Sequence, residues 1–229
     1  MYIFVISAII DDYVPTSIRR NILKAVEFKK IMKDSFAPVL RKYGFIGSGF
    51  KYRKITENHY IYTVLVQSNK YGEGCWIELG VTTDFLPDTL GFTITPKKVS
   101  SFNCEFRKRL TMKNDDMWLF GETKDEANHS ILQMLTEFEI NGIKYFEQFI
   151  DFPDPISSIS IKDIMNESTK LQSLGAPLDL RLAMTVARVH TFLGNRDEAI
   201  KFCEWGLENI NNAIGLIKVF REIIQQNLC

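Results

Sequence analysis

The chain has 229 residues and carries 28 basic and 28 acidic side chains, so its formal net charge is zero. This balance excludes a long-range field that would steer the whole molecule towards nucleic acid or an anionic membrane, and any such binding must be local. The length predicts one or two domains that can bury cores of their own. The four cysteines are too scattered for a disulfide framework or a paired metal motif, which indicates a reducing compartment. We therefore expect a soluble, cytoplasmic protein.

The longest apolar run covers residues 2–10. It is about half as long as a bilayer span requires, and it lacks the basic start and the cleavage site of a signal peptide. We interpret it as a short strand, or as an upstream stretch added by the choice of start codon, and expect no membrane partner.

A helix is predicted over residues 22–43, where apolar side chains recur at steps of three and four residues. Pro38 lies inside this pattern and removes a backbone donor, which predicts a kink or a break near Ser35. Gly44 supplies the left-handed stop that commonly follows a helix.

After Gly44 the apolar period changes from 3.6 to 2, which predicts β-strands. We place them at 50–55, 60–68 and 75–83, with a fourth, edge strand at 91–96. Short links between consecutive strands favour an antiparallel meander. Residues 97–117 show no period, and we expect a long loop with a helical turn there.

Helical period returns after Thr123, and either Thr123 or Asp125 is the candidate N-cap. The pattern is interrupted near 141–142. Residues 151–160 combine two prolines with small polar residues, as a domain linker does. Four helical segments follow. The fold class is thus α+β: a helix, an antiparallel sheet of three to four strands and a closing helix in residues 1–150, then an all-helical tail in residues 151–229.

Residues 183–210 resemble one tetratricopeptide-type helical hairpin. Its small packing residues and its turn would be Ala187, Gly194, Ala199 and Leu207. His190, Cys203 and Gly206 depart from the repeat, which prefers two aromatic residues and alanine there. The resemblance implies a groove that binds protein segments, and the alternative is an ordinary αα-hairpin.

A second resemblance covers residues 28–150. Its residues are FKKIMKDSFAPVLRKYGFIGSGFKYRK at the first helix and strand, VQS and IELGV in later strands, and IKYFEQFID in the closing helix. This pattern resembles a bacterial family of unknown function, number 4304. The resemblance implies the α+β fold and no particular activity.

The three histidines do not form a catalytic or metal-binding motif. His59, His129 and His190 stand 70 and 61 residues apart, without a partner at i+4 or a nearby cysteine pair. No serine or cysteine lies in a local nucleophile signature. We therefore expect structural or solvated histidines, no catalytic residue, no metal and no cofactor.

Two carboxylate pairs, Glu73 with Glu78 and Asp84 with Asp88, could divide acid and base roles or hold magnesium if they shared a cleft. Glu78 is predicted at mid-strand beside Trp76. The ordinary interpretation is an amphipathic strand face, with Glu78 exposed or bonded across the sheet to residue 51 or 53.

The region 97–113 is rich in basic residues with phenylalanines between them. The basic residues proposed for nucleic-acid binding are Lys97, Lys98, Arg107, Lys108 and Arg109. Such an arrangement can hold a single strand by charge and stacking. We favour the alternative, a solvated loop whose Phe102 and Phe106 anchor it to the core.

The function best supported by the sequence is a non-catalytic module that binds another protein in a regulatory role, such as the neutralisation of a toxin. Its predicted contact residues are Tyr62, Gln67, Trp76, Glu78, Arg196 and Trp205. The alternative is a nucleic-acid-processing or other small hydrolytic enzyme that uses carboxylates of the sheet with the basic region. A homodimer through the helical tail is a third expectation, and nucleic acid is the less favoured partner.

Overall fold

The computed structural model describes residues 22–88, 91–112 and 116–228. It confirms the α+β class, with a helix, a six-stranded antiparallel sheet and then further helices. The strand expected at 2–10 lies outside the described residues.

The elements follow in chain order. Helix α1 spans Ala25–Lys42. Strands β1 to β6 span Ile46–Ser48, Lys51–Ile55, Tyr60–Ser68, Gly74–Thr83, Phe106–Leu110 and Trp118–Leu119. Helices α2 to α8 span Lys124–Glu137, Ile143–Glu147, Ile161–Met165, Thr169–Leu174, Asp179–Phe192, Arg196–Glu208 and Ile217–Leu228. A π-helical turn, Phe138–Gly142, joins α2 to α3, and short 3₁₀ turns occur at Pro96–Lys98, Ser101–Asn103 and Ile214–Leu216.

Helix α1 runs through Pro38 as one element, so the break expected near Ser35 does not occur. Pro38 and Asp34 are both exposed. The carbonyl of Asp34, which loses its helical donor, therefore lies where water can bond it. The opposite face buries Phe28, Met32, Phe36 and Leu40.

The sheet has the order β1-β2-β3-β4-β5, and β6 pairs with the start of β4. The strand predicted at 91–96 is wrong, because this segment forms only an isolated bridge, Pro87 with Thr93, and Ile94 belongs to a small apolar cluster that includes Ile61. The loop predicted at 97–117 contains β5. β5 shows no regular alternation in sequence because Lys108 stands between Arg107 and Arg109.

The two faces of the sheet differ in their partners. The inner face packs on α1, α2 and α3, and the ring of Tyr62 contacts that of Phe146 in a tilted arrangement at 4.9 Å between centroids. Its residues in β3 and β4 include Tyr60, Tyr62, Val64, Val66, Ile77, Leu79 and Val81. The residues between them form the outer face: Ile61, Thr63, Leu65, Gln67, Trp76, Glu78, Gly80 and Thr82.

The chain between β4 and β5 covers part of the outer face. Ser101 donates its hydroxyl hydrogen to the backbone carbonyl of Glu78 at 2.8 Å. Gly80 is needed beneath this cover, because a Cβ there would lie 2.8 Å from the sulfur of Cys104. The outer face is therefore closed around Gly80.

The C-terminal helices share one apolar core with the sheet. The phenol of Tyr145 donates to the carbonyl of Leu174 at 3.2 Å, which ties α3 to the end of α5. The first of the four helical segments expected after residue 160 forms two helices, α4 and α5, with Glu167 at a positive φ of 44° between them. The domain division at 151–160 stays a prediction. Among the described helices, none combines the length and apolarity needed to cross a membrane.

Candidate functional site: an arginine cleft

A cleft of about 790 Å³ lies between the outer face of β4 and β5 and the chain from α5 to α6. We call it the arginine cleft. The residues that line it are Trp76, Glu78, Cys104, Glu105, Arg107, Arg109, Thr111, Gly175, Ala176, Pro177, Leu178 and Arg181. It is the place where the sheet and the helical part of the chain meet over polar side chains.

Strand register brings Glu78 and Arg109 together. They are paired residues of β4 and β5, and the Nε–H of Arg109 donates to the Glu78 carboxylate. Arg107 lies two residues away on the same face, with an Nη at 3.9 Å from the second carboxylate oxygen. The expectation that Glu78 is exposed or bonded to residue 51 or 53 is wrong, because Glu78 is buried and its carboxylate is directed towards β5.

Aromatic rings support the same two arginines. The guanidinium of Arg109 lies 5.1 Å from the ring centroid of Trp76, and that of Arg107 lies 5.7 Å from the ring centroid of Phe102. Stacking on a ring restricts the rotamers of the side chain and adds a cation–π attraction. Both guanidinium groups are thus held on two sides, by a carboxylate and by a ring.

The third arginine reaches the cleft from α6. One Nη of Arg181 donates to both carboxylate oxygens of Glu105, at 2.8 and 2.7 Å. Glu105 directly precedes β5 and is buried. The pair therefore joins the helical part of the chain to the sheet.

The three arginines of the cleft are much more exposed to solvent than its two glutamates. The side chains of Arg107, Arg109 and Arg181 are 39%, 48% and 39% exposed. Those of Glu78 and Glu105 are 5% and 4% exposed. The buried carboxylates thus bind the guanidinium groups, which remain partly exposed and line the cleft.

The predicted protein-contact residues do not form one surface. Trp76 and Glu78 line the cleft, and Gln67 lies beside Trp76 in the register without lining it. Tyr62 is on the inner face, where its phenol donates to the carbonyl of Phe149 at 2.8 Å and burial raises its pKa to about 12. Arg196 and Trp205 lie on α7, away from the cleft lining.

The five basic residues predicted to bind nucleic acid also do not lie together. Arg107 and Arg109 line the cleft. Lys97 and Lys98 lie on a separate 3₁₀ turn, and Lys108 pairs with Leu79 and is directed to the other face of β5. Two of the five basic residues are therefore at the site.

The carboxylates of the enzyme alternative lie far apart. Glu73 and Asp84 flank the two ends of β4, about 35 Å from each other at the usual rise per residue. Glu73 is exposed and precedes β4, whereas Glu78 is buried within the strand. Within the described part of the chain, no group of three or more His, Cys, Asp or Glu side chains could hold a metal ion.

The histidines have separate environments. His59 contacts Asp84 at 3.1 Å and lies among the rings of Phe85, Phe152 and Phe192. His129 is exposed on α2. Burial lowers the pKa of His190, whose ring stacks on that of Phe202.

The residues of the site that sequence reasoning missed include Glu105, Gly175 and Arg181. Glu105 and Arg181 are 76 positions apart, and neither stands in a motif. Gly175 has one local signal, since a glycine directly after a predicted helix indicates a left-handed cap, and its φ is +60°.

Residues 36–148 match the model of the family described as "Domain of unknown function (DUF4304)". No curated protein and no solved structure matches the chain. The match covers just under half of the sequence and includes β1 to β6, α2 and α3. Four residues of the cleft lie inside it: Glu78, Glu105, Arg107 and Arg109. Gly175 and Arg181 lie beyond it. The segment from Phe36 to Gln148 therefore resembles this family in sequence.

Proposed function

We propose that this protein is a non-catalytic interaction module that binds an acidic segment of a partner protein in the arginine cleft. The observation that carries the proposal is the fixed set of three partly exposed guanidinium groups above two buried carboxylates. Three arginines and two glutamates leave one net positive charge at the cleft. A regulatory role, such as neutralising a toxin, is part of the same proposal.

Arginine favours a carboxylate-bearing ligand for a geometric reason. The planar guanidinium donates parallel hydrogen bonds to a carboxylate or phosphate, and such charge-assisted bonds are about twice as strong as neutral ones. Orienting a long side chain normally costs conformational entropy on binding. Glu78, Glu105 and Trp76 have already restricted these arginines, which reduces that cost.

Apolar groups at the rim favour a peptide over a small anion. Ala176, Pro177 and Leu178 form one wall, and the side chain of Leu178 is 85% exposed. Trp76 is partly buried on the opposite side. A segment with acidic and apolar side chains would contact the arginines and both walls.

Single-stranded nucleic acid is the second candidate, favoured by the aromatic ring of Trp76, which is partly exposed and lies next to Arg109. A nucleic-acid site draws its affinity from several phosphate contacts, and the cleft offers one net positive charge. Glu78 is a poor general base in the enzyme alternative, because its carboxylate is buried and bonded to Arg109. The acidic peptide therefore accounts for more of the geometry.

The test compares two probes of equal charge by fluorescence anisotropy at low salt. One is an end-blocked octapeptide that alternates glutamate and valine, and the other is pentathymidylate, which has four phosphates for the four glutamates. We expect the peptide to bind, and Arg109→Gln to weaken its binding about tenfold, the effect of losing one charge-assisted hydrogen bond.

Arg221→Gln is the matched control, because Arg221 is an exposed arginine of α8 outside the cleft. It should leave the dissociation constant unchanged. Absence of peptide binding would refute the proposal, and tighter binding of pentathymidylate that depends on Arg109 would support the second candidate instead.

A further inference from the structure

Within residues 22–88, 91–112 and 116–228, one backbone hydrogen bond covers the outer edge of β5. The backbone N–H of Arg107 donates to the carbonyl of Gly175 at 2.8 Å, so it points away from β4. In an antiparallel ladder the direction of the backbone groups alternates along the strand. The N–H and C=O of Arg109 therefore also point away from β4, to the same open side as those of Arg107.

The chain leaves this edge directly after Gly175. Ala176 donates its N–H to the carbonyl of Leu171, and Pro177 has no N–H to offer. Among the described residues, none forms a backbone hydrogen bond with Arg109 on the open side. The arginine cleft lies at this position, since both Arg109 and Pro177 line it.

Side-chain direction connects the open edge to the charges. Arg107 and Arg109 project to the outer face, about 7 Å apart along the strand. A strand laid beside β5 would place every second side chain on that same face, within reach of its neighbours on β5. An acidic residue opposite Arg109 would then meet its guanidinium group, and Arg107, whose own edge position is taken by Gly175, would be reached diagonally.

We propose that the acidic segment binds as a short extended strand beside β5, with main-chain hydrogen bonds to the N–H and C=O of Arg109. This inference rests on the function proposed above and specifies its partner: a segment with acidic side chains at alternate positions. Strand addition gives affinity through the main chain and specificity through alternate side chains. Gly175 and the chain after it set the end of the added strand.

The test uses three peptides on the unmodified full-length protein. The first is the octapeptide that alternates glutamate and valine, the second has all four glutamates N-methylated, and the third has all four valines N-methylated. All three keep the same side chains and charge. If a strand adds to β5, one of the two methylated peptides lacks the N–H groups that would face β5. That peptide should bind at least tenfold more weakly than the parent.

The other methylated peptide should bind within about twofold of the parent. A shift by one residue cannot rescue the weakened peptide, because it would direct valines instead of glutamates at the arginines. Weaker binding of the peptide with methylated glutamates indicates an antiparallel added strand. Weaker binding of the peptide with methylated valines indicates a parallel one. Hydrogen exchange should also show that the parent peptide protects the Arg109 amide.

Two results separate this inference from the proposed function. If the parent peptide binds and depends on Arg109, but both methylated peptides bind equally, strand addition is wrong and the acidic-segment function stands. If the parent peptide does not bind, both are wrong.

Discussion

The backbone carbonyl of Gly175 accepts a hydrogen bond from the N–H of Arg107, and this bond of 2.8 Å joins the end of α5 to the edge of β5. The approach is so close that a Cβ on Gly175 would lie 1.9 Å from the carbonyl oxygen of Arg107. Glycine is required here both by its left-handed φ of +60° and by the lack of space.

Replacing Gly175 with alanine should therefore lower the free energy of unfolding by roughly 2–4 kcal/mol, the range of a steric conflict with backbone. The matched control is Gly194→Ala, because Gly194 has a similar φ of +75° but nothing within 4 Å of the position that a methyl group would take. It should cost only about 1 kcal/mol, from conformation alone. Denaturation in urea measures both values, and equal costs would contradict the packing argument.

The ion pair of Glu105 and Arg181 should respond differently to removal of each partner. Arg181→Leu leaves the carboxylate of Glu105 buried beside α6, and we expect a loss of about 2 kcal/mol, because Arg188 still lies near enough to interact with that charge. Glu105→Leu leaves a half-exposed arginine that water can solvate, and we expect less than about 1 kcal/mol.

Guanidinium chloride would screen this pair, so urea unfolding is the suitable measurement. A greater loss from Glu105→Leu than from Arg181→Leu would show that the buried carboxylate does not determine the energetics of the pair.

Gly206 stands where the tetratricopeptide pattern prefers alanine, yet the structure favours glycine. A Cβ there would lie 2.4 Å from the ring of Phe220 on α8. Gly206→Ala gains about 1 kcal/mol of helix propensity but forces the ring to move, and we expect a net loss of about 1–2 kcal/mol. Adding Phe220→Leu should make the alanine less costly than in the wild-type background, and a double-mutant cycle with zero coupling would refute the contact.

The described cysteines should be unreactive in the native protein. Burial raises the pKa values of Cys75, Cys104 and Cys203 to about 12, so at pH 8 their thiolate forms are rare as well as inaccessible. In a Cys229→Ser variant, we expect Ellman's reagent to label none of the three thiols at pH 8 within minutes, and all of them after unfolding. Rapid labelling of one thiol in the native protein would show that its surroundings open.

Local patterns predict the central strands well. Tyr60–Ser68 agrees with its predicted bounds, and Gly74–Thr83 begins one residue earlier than expected, because alternating apolar residues and turn residues mark both strands. β5 has no such signal, since its three middle residues are all cationic. Pairing with β4 makes it a strand, and pairing between distant segments cannot be derived from the period of either one.

The arrangement of the site also depends on pairing between distant segments, which local sequence patterns do not predict. Trp76, Glu78, Arg107 and Arg109 are all candidates from the sequence, but their local patterns assign them to two different surfaces. The register that places Arg109 opposite Glu78 depends on how the chain returns after β4. Arg181 cannot be found in this way, because its partner lies in another part of the chain and its own helix shows an ordinary pattern.

The position of Gly175 and Arg181 has a consequence for shortened forms of the protein. A chain that ended at residue 150 would lose the carbonyl that bonds to Arg107 and the cation that neutralises Glu105. Its last long strand would then present a bare edge, and bare edges pair with those of other copies. We expect such a fragment to aggregate, and light scattering would reveal it, because the segment after residue 150 covers part of this edge in the full chain.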